Sequence, residues 1–240
     1  MLTSHALTKR FGDHTALDAL DLDIAAGEVF CLLGANGAGK STTIKLFLGF
    51  LAPTSGRALV EGIDVAADPV GARRRLLYIP EQVALHEALT GRENLRYFAT
   101  LAGIDDISPS RLEACLTEAG LQSAAFDQRT ATYSKGMRQK VGVALAIAKD
   151  ARVLLLDEPT SGLDPQASAE FHDLVARRRD AGAAVLMATH DLFRARQIAD
   201  RIGVMRAGRL VLQLDAGDVS AQQLEAAYLQ AMTAEGSVAA

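Results

Sequence analysis

The stretch GANGAGKST, Gly34 to Thr42, restricts what this chain can fold into more than any other. It fits the pattern G-x-x-x-x-G-K-[ST]. It lies between an apolar run of strand length, Val29–Leu33, and STTIKLFLGFL, residues 41–51, whose apolar positions recur at helical spacing. Glycines in such a turn let backbone N–H groups face inward around phosphate oxygens, and a helix starting near Ser41 aims its positive end at the same place. The expected phosphate cradle is Gly34, Asn36, Gly37, Ala38, Gly39, Lys40, Ser41 and Thr42. In this pattern the lysine, Lys40, reaches the β- and γ-phosphates and the hydroxyl of Ser41 binds Mg2+.

Two further apolar runs, Val153–Asp157 and Ala184–Thr189, lack polar alternation, as do strands covered on both faces of a parallel sheet. Residues 2–30 differ. Apolar and polar residues alternate there, which predicts half-buried antiparallel strands. Residues 56–65, GRALVEGIDV, read as two short strands turning at Glu61-Gly62. These pieces predict a small β-layer at one edge of the main sheet. Residues 83–130 are helical in pattern, with breaks at Gly103, Pro109 and Gly120, and residues 137–149 read as a further helix. A last helix is expected over 219–233, with Leu224 and Tyr228 on one face, followed by a frayed AEGSVAA. The fold class is therefore α/β: a P-loop NTPase with a mainly parallel core sheet, an antiparallel β edge layer and an inserted helical subdomain. One domain over 1–240 is expected, with a core of about 1–82 and 151–214, a helical subdomain of about 83–150 and a C-terminal helix of about 219–233.

The run VLLLDEPTSGLD, Val153 to Asp164, ends a strand on paired acids, the Walker B pattern. Asp157, at a strand end beside a phosphate cradle, is placed to hold Mg2+, through water in sites of this kind. Glu158 follows directly and projects to the other side of the strand end. It is the candidate that polarises an attacking water.

Composition narrows the partners. Lys and Arg total 25 against 29 for Asp and Glu, a net charge of −4, so the basic excess of a nucleic-acid binder is missing. The runs Arg73–Arg75 and Arg177–Arg179 are short and read as solvated helix faces. Cys31 and Cys115 form no metal-ligand or redox pattern, and Cys31 reads as a buried small hydrophobe. The start MLTSHALTKRF lacks the apolar stretch of a signal peptide, and apolar runs such as Val143–Ala148 fall far below the ~18 residues of a spanning helix. The expectation is a cytoplasmic chain, with any membrane crossing left to another polypeptide.

The two phosphate-site motifs together resemble the ATP-binding-cassette (ABC) ATPases, and the other motifs of that family follow in its order. The resemblance covers residues 2–214. Gln82, in LLYIPEQ, is similar to the Q-loop glutamine, which in the family contacts Mg2+ and senses the membrane partner. YSKGMRQK, Tyr133 to Lys140, is similar to the family signature, SGLD, Ser161 to Asp164, to the D-loop, and His190, in LMATHD, to the switch histidine. Phe11 sits where the family places an aromatic that stacks on adenine. The signature departs from the commonest form, LSGGQ: Tyr133 replaces Leu, Lys135 the first Gly and Met137 the Gln. Ser134 and Gly136 are kept. In the family these present a hydroxyl and a backbone N–H to the γ-phosphate bound by the other subunit. An S-K-G-M signature resembles those of ABC-2-type exporters. His5, His14, His86 and His172 match no motif and read as surface or core histidines.

The resemblance implies an ATPase that works in pairs. ATP and Mg2+ on the P-loop of one protomer would be covered by Ser134 and Gly136 of another, with Asp164 among the nucleotide-binding residues. Two identical chains related by a twofold axis satisfy this at both sites, and a second kind of ATPase chain is the other arrangement. Glu158, His190, Lys40 and Gln82 form the implied catalytic set, and Ser41, Gln82 and Asp157 the implied metal set. The implied role is the ATP-hydrolysing subunit of a transporter of exporter type, held on the inner face of the cell membrane by a separate permease. The permease would dock on the helical insertion, where Leu85, Leu89, Leu95, Tyr97 and Phe98 divide between the insertion's own core and a groove. The alternative is a soluble ABC-type ATPase acting on ribosomes or DNA. One cassette, no heptad run and an acidic balance weigh against it. A regulatory module without turnover is opposed by Glu158 and His190.

Overall fold

The computed structural model describes residues 1–233. In chain order its elements are β1 (Leu2–Phe11), β2 (His14–Ile24), β3 (Val29–Leu33), α1 (Lys40–Phe47), β4 (Ser55–Val60), β5 (Ile63–Asp64), α2 (Pro69–Arg75) and β6 (Leu76–Ile79). Then come α3 (Gly91–Leu101), α4 (Pro109–Glu118), α5 (Lys135–Ala148), β7 (Val153–Asp157) and α6 (Pro165–Asp180). The remainder is β8 (Ala184–Thr189), α7 (Leu192–Ile198), β9 (Arg201–Arg206), β10 (Arg209–Asp215) and α8 (Ala221–Thr233).

The described residues form two sheets. One is six-stranded, β10-β9-β3-β8-β7-β6, and parallel except for the hairpin β9–β10. The other, β2-β1-β4-β5, is four-stranded and antiparallel. Every residue of β3 and β8 is buried, which is why their sequences are unbroken apolar runs. The pleat still separates two cores. Val29, Cys31 and Leu33 share one with Leu154, Leu156, Val185 and Met187. Phe30 and Leu32 share the other with Ile44 and Phe47 of α1 and with Leu7 and Leu17 of the antiparallel sheet. The β-layer predicted at the sheet edge is thus a sheet of its own, because β1 pairs with both β2 and β4 and with no strand of the parallel sheet.

Helix α1 carries the phosphate cradle and is held in the second core, where Phe47 is fully buried. Phe47→Ala is expected to destabilise the fold by about 3–5 kcal/mol, a large share of ordinary domain stability. A urea unfolding midpoint unmoved by that change would show that the second core does not hold the helix.

The helices between β6 and β7 belong to the first core. Leu95 of α3, Leu112 and Leu116 of α4, and Val143 and Ile147 of α5 pack in one cluster with Leu154 and Leu156 of the sheet. Helix α3 starts on a capping box, in which the Glu93 amide donates to Thr90 Oγ1 (3.2 Å) and the Thr90 amide to Glu93 Oε2 (2.8 Å). Helices α2, α4 and α6 start alike, with Asp68, Ser108 or Asp164 as the cap and a proline next, where its missing N–H is not needed. Leu224 of α8 is buried and Tyr228 packs beside it. AEGSVAA lies outside the described residues. The arginine runs end α2 and α6, where cations suit the helix dipole. Arg178 and Arg179 are not freely solvated: they pair with Asp150 and with Asp180 and Asp200.

Candidate nucleotide site

After β3 the chain turns through Gly34–Gly39 and enters α1 at Lys40. Two glycines are required by their surroundings. Gly39 has φ +111°, and a Cβ there would sit 2.8 Å from the Ala16 carbonyl oxygen. A Cβ on Gly34 would sit 2.7 Å from the Met205 carbonyl oxygen. The turn is fixed further where the Gly208 amide donates to the Ala38 carbonyl (3.0 Å). The Lys40 ammonium lies inside the loop. It donates to the carbonyls of Gly34 (2.5 Å) and Ala35 (3.2 Å) and stands 3.9 Å from Glu158 Oε1. Burial pushes its pKa down, against the pull of Glu158 and Asp157.

Asp157 ends β7, and the Ser41 hydroxyl donates to its Oδ1 at 3.4 Å. Burial pushes the Asp157 carboxyl up; the Ser41 hydroxyl and Lys40 pull it back, while Glu158 and Glu81 add to the rise. Glu158 has a left-handed backbone, φ +47°. Its amide donates to the Ala188 carbonyl (2.9 Å), and its Oε2 accepts from the Thr189 hydroxyl (3.2 Å). His190 Nδ1 is 2.9 Å from Glu158 Oε1. The left-handed turn thus delivers Glu158 to the end of β8, next to the histidine.

These groups line a cleft of about 700 Å3 together with Phe11, Tyr78 and Gln82. Phe11 is 48% exposed, with the Lys9 ammonium 5.0 Å from its ring centroid. Three carboxylates, Glu81, Asp157 and Glu158, face the cleft against one ammonium, Lys40. A polyphosphate could settle there only with a cation to offset the repulsion. Among the described residues no group of three or more His, Cys, Asp and Glu side chains converges on a metal position. Ser41, Asp157 and Gln82 instead suit a hard cation that keeps water and phosphate oxygens as most of its ligands.

The structure therefore gathers Asn36, Gly37, Gly39–Thr42, Gln82, Asp157, Glu158 and Phe11 at one cleft, with Gly34 and Ala38 buried in the same loop and His190 behind Glu158. It does not bring Ser134, Gly136 or Asp164 there. Ser134 caps α5, accepting from the Met137 amide (3.2 Å), and shares a separate recess with Gly136, Leu163 and Ala167. Asp164 caps α6, accepting from the Ala167 amide (2.8 Å). Each signature departure has a structural place. Tyr133 is buried, its hydroxyl donating to the Ala125 carbonyl (2.5 Å). Lys135 donates to the Ser161 carbonyl (2.5 Å), and Met137 packs on the helical core. Cleft residues not expected from the sequence are His14, Ala16, Tyr78, Pro80 and Glu81. His14 arrives because the hairpin register pairs it with Phe11 across Gly12-Asp13, and the signal was the turn.

Comparisons with known proteins bear on the family and the fold. The family described as "ABC transporter" matches residues 17–161. The chain is 38% identical over 218 residues to the daunorubicin/doxorubicin resistance ATP-binding protein DrrA of Streptomyces peucetius, covering 91% of this chain and 66% of that protein. It is 37% identical over 223 residues to the probable multidrug ABC transporter ATP-binding protein YbhF of Escherichia coli (strain K12), covering 92% and 38%. The chain thus spans just under two thirds of the first relative's length and well under half of the second's. Among solved structures it matches the dimeric post-hydrolysis ATP-binding cassette MJ0796 bound to ADP and Pi, at TM-score 0.80 and 25% identity, covering 90% and 99%. Motifs, fold and likeness converge: the chain belongs to the ABC transporter family, as one of its ATP-binding cassettes.

Proposed function

We propose that the chain is the ATP-hydrolysing subunit of a membrane exporter. The observation that carries this reading is the position of Glu158, between His190 and the buried Lys40 at the mouth of the phosphate cradle. A water held by Glu158 attacks the γ-phosphorus in line, its proton passes to the Glu158 carboxylate, and the bond to the bridging oxygen breaks to release ADP and phosphate. Lys40 and the N-terminus of α1 offset charge on the β- and γ-phosphates. His190 holds Glu158 from behind and contacts the γ-phosphate. Phe11 stacks on the adenine. Ser41, Asp157 and Gln82 would hold Mg2+, which would supply further neutralisation of the polyphosphate's charge.

Ser134, Gly136 and Asp164 serve the cleft of a second copy. Their place outside the lining of their own cleft supports this reading, as does the dimeric form of MJ0796. Identical chains related by a twofold axis place both signatures opposite both cradles.

In this reading α3, α4 and α5 form a subdomain of about 83–150 on a core of about 1–82 and 151–214. Its groove of about 240 Å3, lined by Ile79, Val83, Leu85, Phe98 and Leu145, receives an amphipathic helix of the permease. Leu95 is core, while Tyr97 and Leu101 are exposed. No described helix is long and apolar enough to cross a membrane, so the proposed place is the inner membrane face, through that permease. The drug-resistance role in the name of DrrA and the multidrug role in the name of YbhF support export.

The test is phosphate release by the purified chain with ATP and Mg2+, together with capture from native membranes. A co-purifying integral membrane protein is expected, whereas ribosomes or DNA would support the soluble alternative. Ala84 is exposed on the groove. Ala84→Glu is expected to abolish capture of the membrane protein while leaving phosphate release within about twofold, as surface changes do. Capture at the wild-type level would move the docking site elsewhere.

A further inference from the structure

A left-handed backbone at a non-glycine residue persists only where its surroundings over-determine it. At Glu158, φ +47°, the sheet supplies one side of that constraint, through the amide bonded to the Ala188 carbonyl (2.9 Å). The other side must come from the loop that follows. There the Ser161 amide donates to the Glu158 carbonyl (3.1 Å) and the Leu163 amide to the Thr160 carbonyl (3.2 Å). The carbonyls further along this loop are taken by two cations from different helices. Arg194 of α7 donates to the Thr160 carbonyl and, at 3.5 Å, to that of Leu163. Lys135 of α5 donates to the Ser161 carbonyl and stands 3.7 Å from Glu81 Oε1.

Both cations are themselves anchored near the cleft. Arg194 Nε pairs with Asp191 Oδ2 (3.1 Å), the cap of α7 and the neighbour of His190. Lys135 begins a helix that also grips the loop leading to Gln82: Gln139 Nε2 donates to the carbonyls of Pro80 (3.3 Å) and Glu81 (3.1 Å). Neither cation lines the nucleotide cleft. Charge-assisted bonds to peptide carbonyls are stronger than neutral ones, and these close around the residue whose carboxylate must meet a water.

We propose that Lys135 and Arg194 are positioning residues for hydrolysis, a two-cation clamp on the carbonyls of 160–163 that holds the Glu158 carboxylate at its working angle. The inference rests on the reading of Glu158 as the water-activating group. Its signature is specific: the clamp acts on turnover and not on ATP affinity, because it touches neither cradle nor base platform.

The experiment uses the full chain carrying Lys135→Ala, Lys135→Arg, Arg194→Ala or Arg194→Lys. Phosphate release is followed across ATP concentration, with thermal melting of each variant in parallel. Both alanine variants are expected to lose kcat by roughly tenfold to a hundredfold, the size of loss a small misplacement causes. KM for ATP is expected to stay within roughly threefold, the pattern of an interaction that matters in the transition state alone. Lys135→Arg, which keeps the cation, is expected to restore most of the turnover. Wild-type kcat in both alanine variants, a KM that rises as steeply as kcat falls, or a loss that Lys135→Arg does not repair would each overturn the clamp. Should Arg194→Ala be unfolded at the assay temperature, the partly exposed Lys135 pair of variants decides alone. A wild-type chain that hydrolyses no ATP brings down the parent reading and the clamp together. Active wild type beside an unaffected Lys135→Ala brings down the clamp only.

Discussion

Glu158→Gln is expected to leave ATP bound and nearly stop its hydrolysis. The amide matches the carboxylate in shape, and its oxygen still accepts from the Thr189 hydroxyl, so the left-handed turn is kept. What disappears is a proton acceptor, and a positioned general base contributes about 10²–10⁴-fold to rate. Phosphate release should fall by about that factor. One carboxylate is also removed from a cleft where Glu81, Asp157 and Glu158 face a single Lys40, so repulsion toward the polyphosphate drops and nucleotide affinity holds or improves. Because bound ATP is then not consumed, the paired form should accumulate, visible as a dimer by size-exclusion chromatography with ATP and as a monomer without it. Turnover near the wild-type level would falsify the role given to Glu158.

Lys40→Ala acts on the opposite quantity. Its ammonium is nearly buried within the loop and within 4 Å of Glu158, and the other charged groups lining the cleft are acids. A hydrogen bond to a charged group is worth about 1.5–3 kcal/mol, which at 1.4 kcal/mol per decade is roughly ten- to a hundredfold in ATP affinity. The loss is expected to be at least that large, since the carbonyls of Gly34 and Ala35 also lose their donor and the loop loosens. Titration calorimetry reads it directly. Unchanged binding would remove the phosphate-cradle assignment. The two variants thus separate: one keeps ATP and stops the chemistry, the other fails before the chemistry begins.

What the sequence displays of this molecule follows from how local the cause is. Unbroken apolar runs of strand length at Val29–Leu33 and Ala184–Thr189 read as strands covered on both faces, and both are. The cradle is legible because glycine spacing and a flanking strand and helix are all within twenty residues or so. The placement of the antiparallel strands was not legible to the same degree. Alternation shows that β1 and β2 have one buried face, but not that β1 also pairs with β4 and so closes a second sheet. His14 and Tyr78 escaped for a similar reason: each comes to the cleft through hairpin register or strand packing, and although Tyr78 lies in LLYIPEQ, only Gln82 of that stretch carries an assigned role. Lys135 was visible only as a replaced glycine. Its meeting with Ser161 and Glu81 joins the start of α5 to two separate loops, which no spacing rule encodes.

The position of β3 also sets an order of events while the chain is being made. Its sheet neighbours β8 and β9 are encoded roughly 150 residues downstream, a gap of roughly 10–30 s at ordinary synthesis rates of ~5–20 residues/s. Through that interval a wholly apolar strand waits without its partners. The cradle waits with it, since Gly34 closes against Met205 and Gly39 lies beside the same side chain. A nascent chain that stops short of β9 therefore carries the whole glycine motif and still lacks the wall that shapes it. The cradle therefore takes its full shape only after the last parallel strand, β9, has been made.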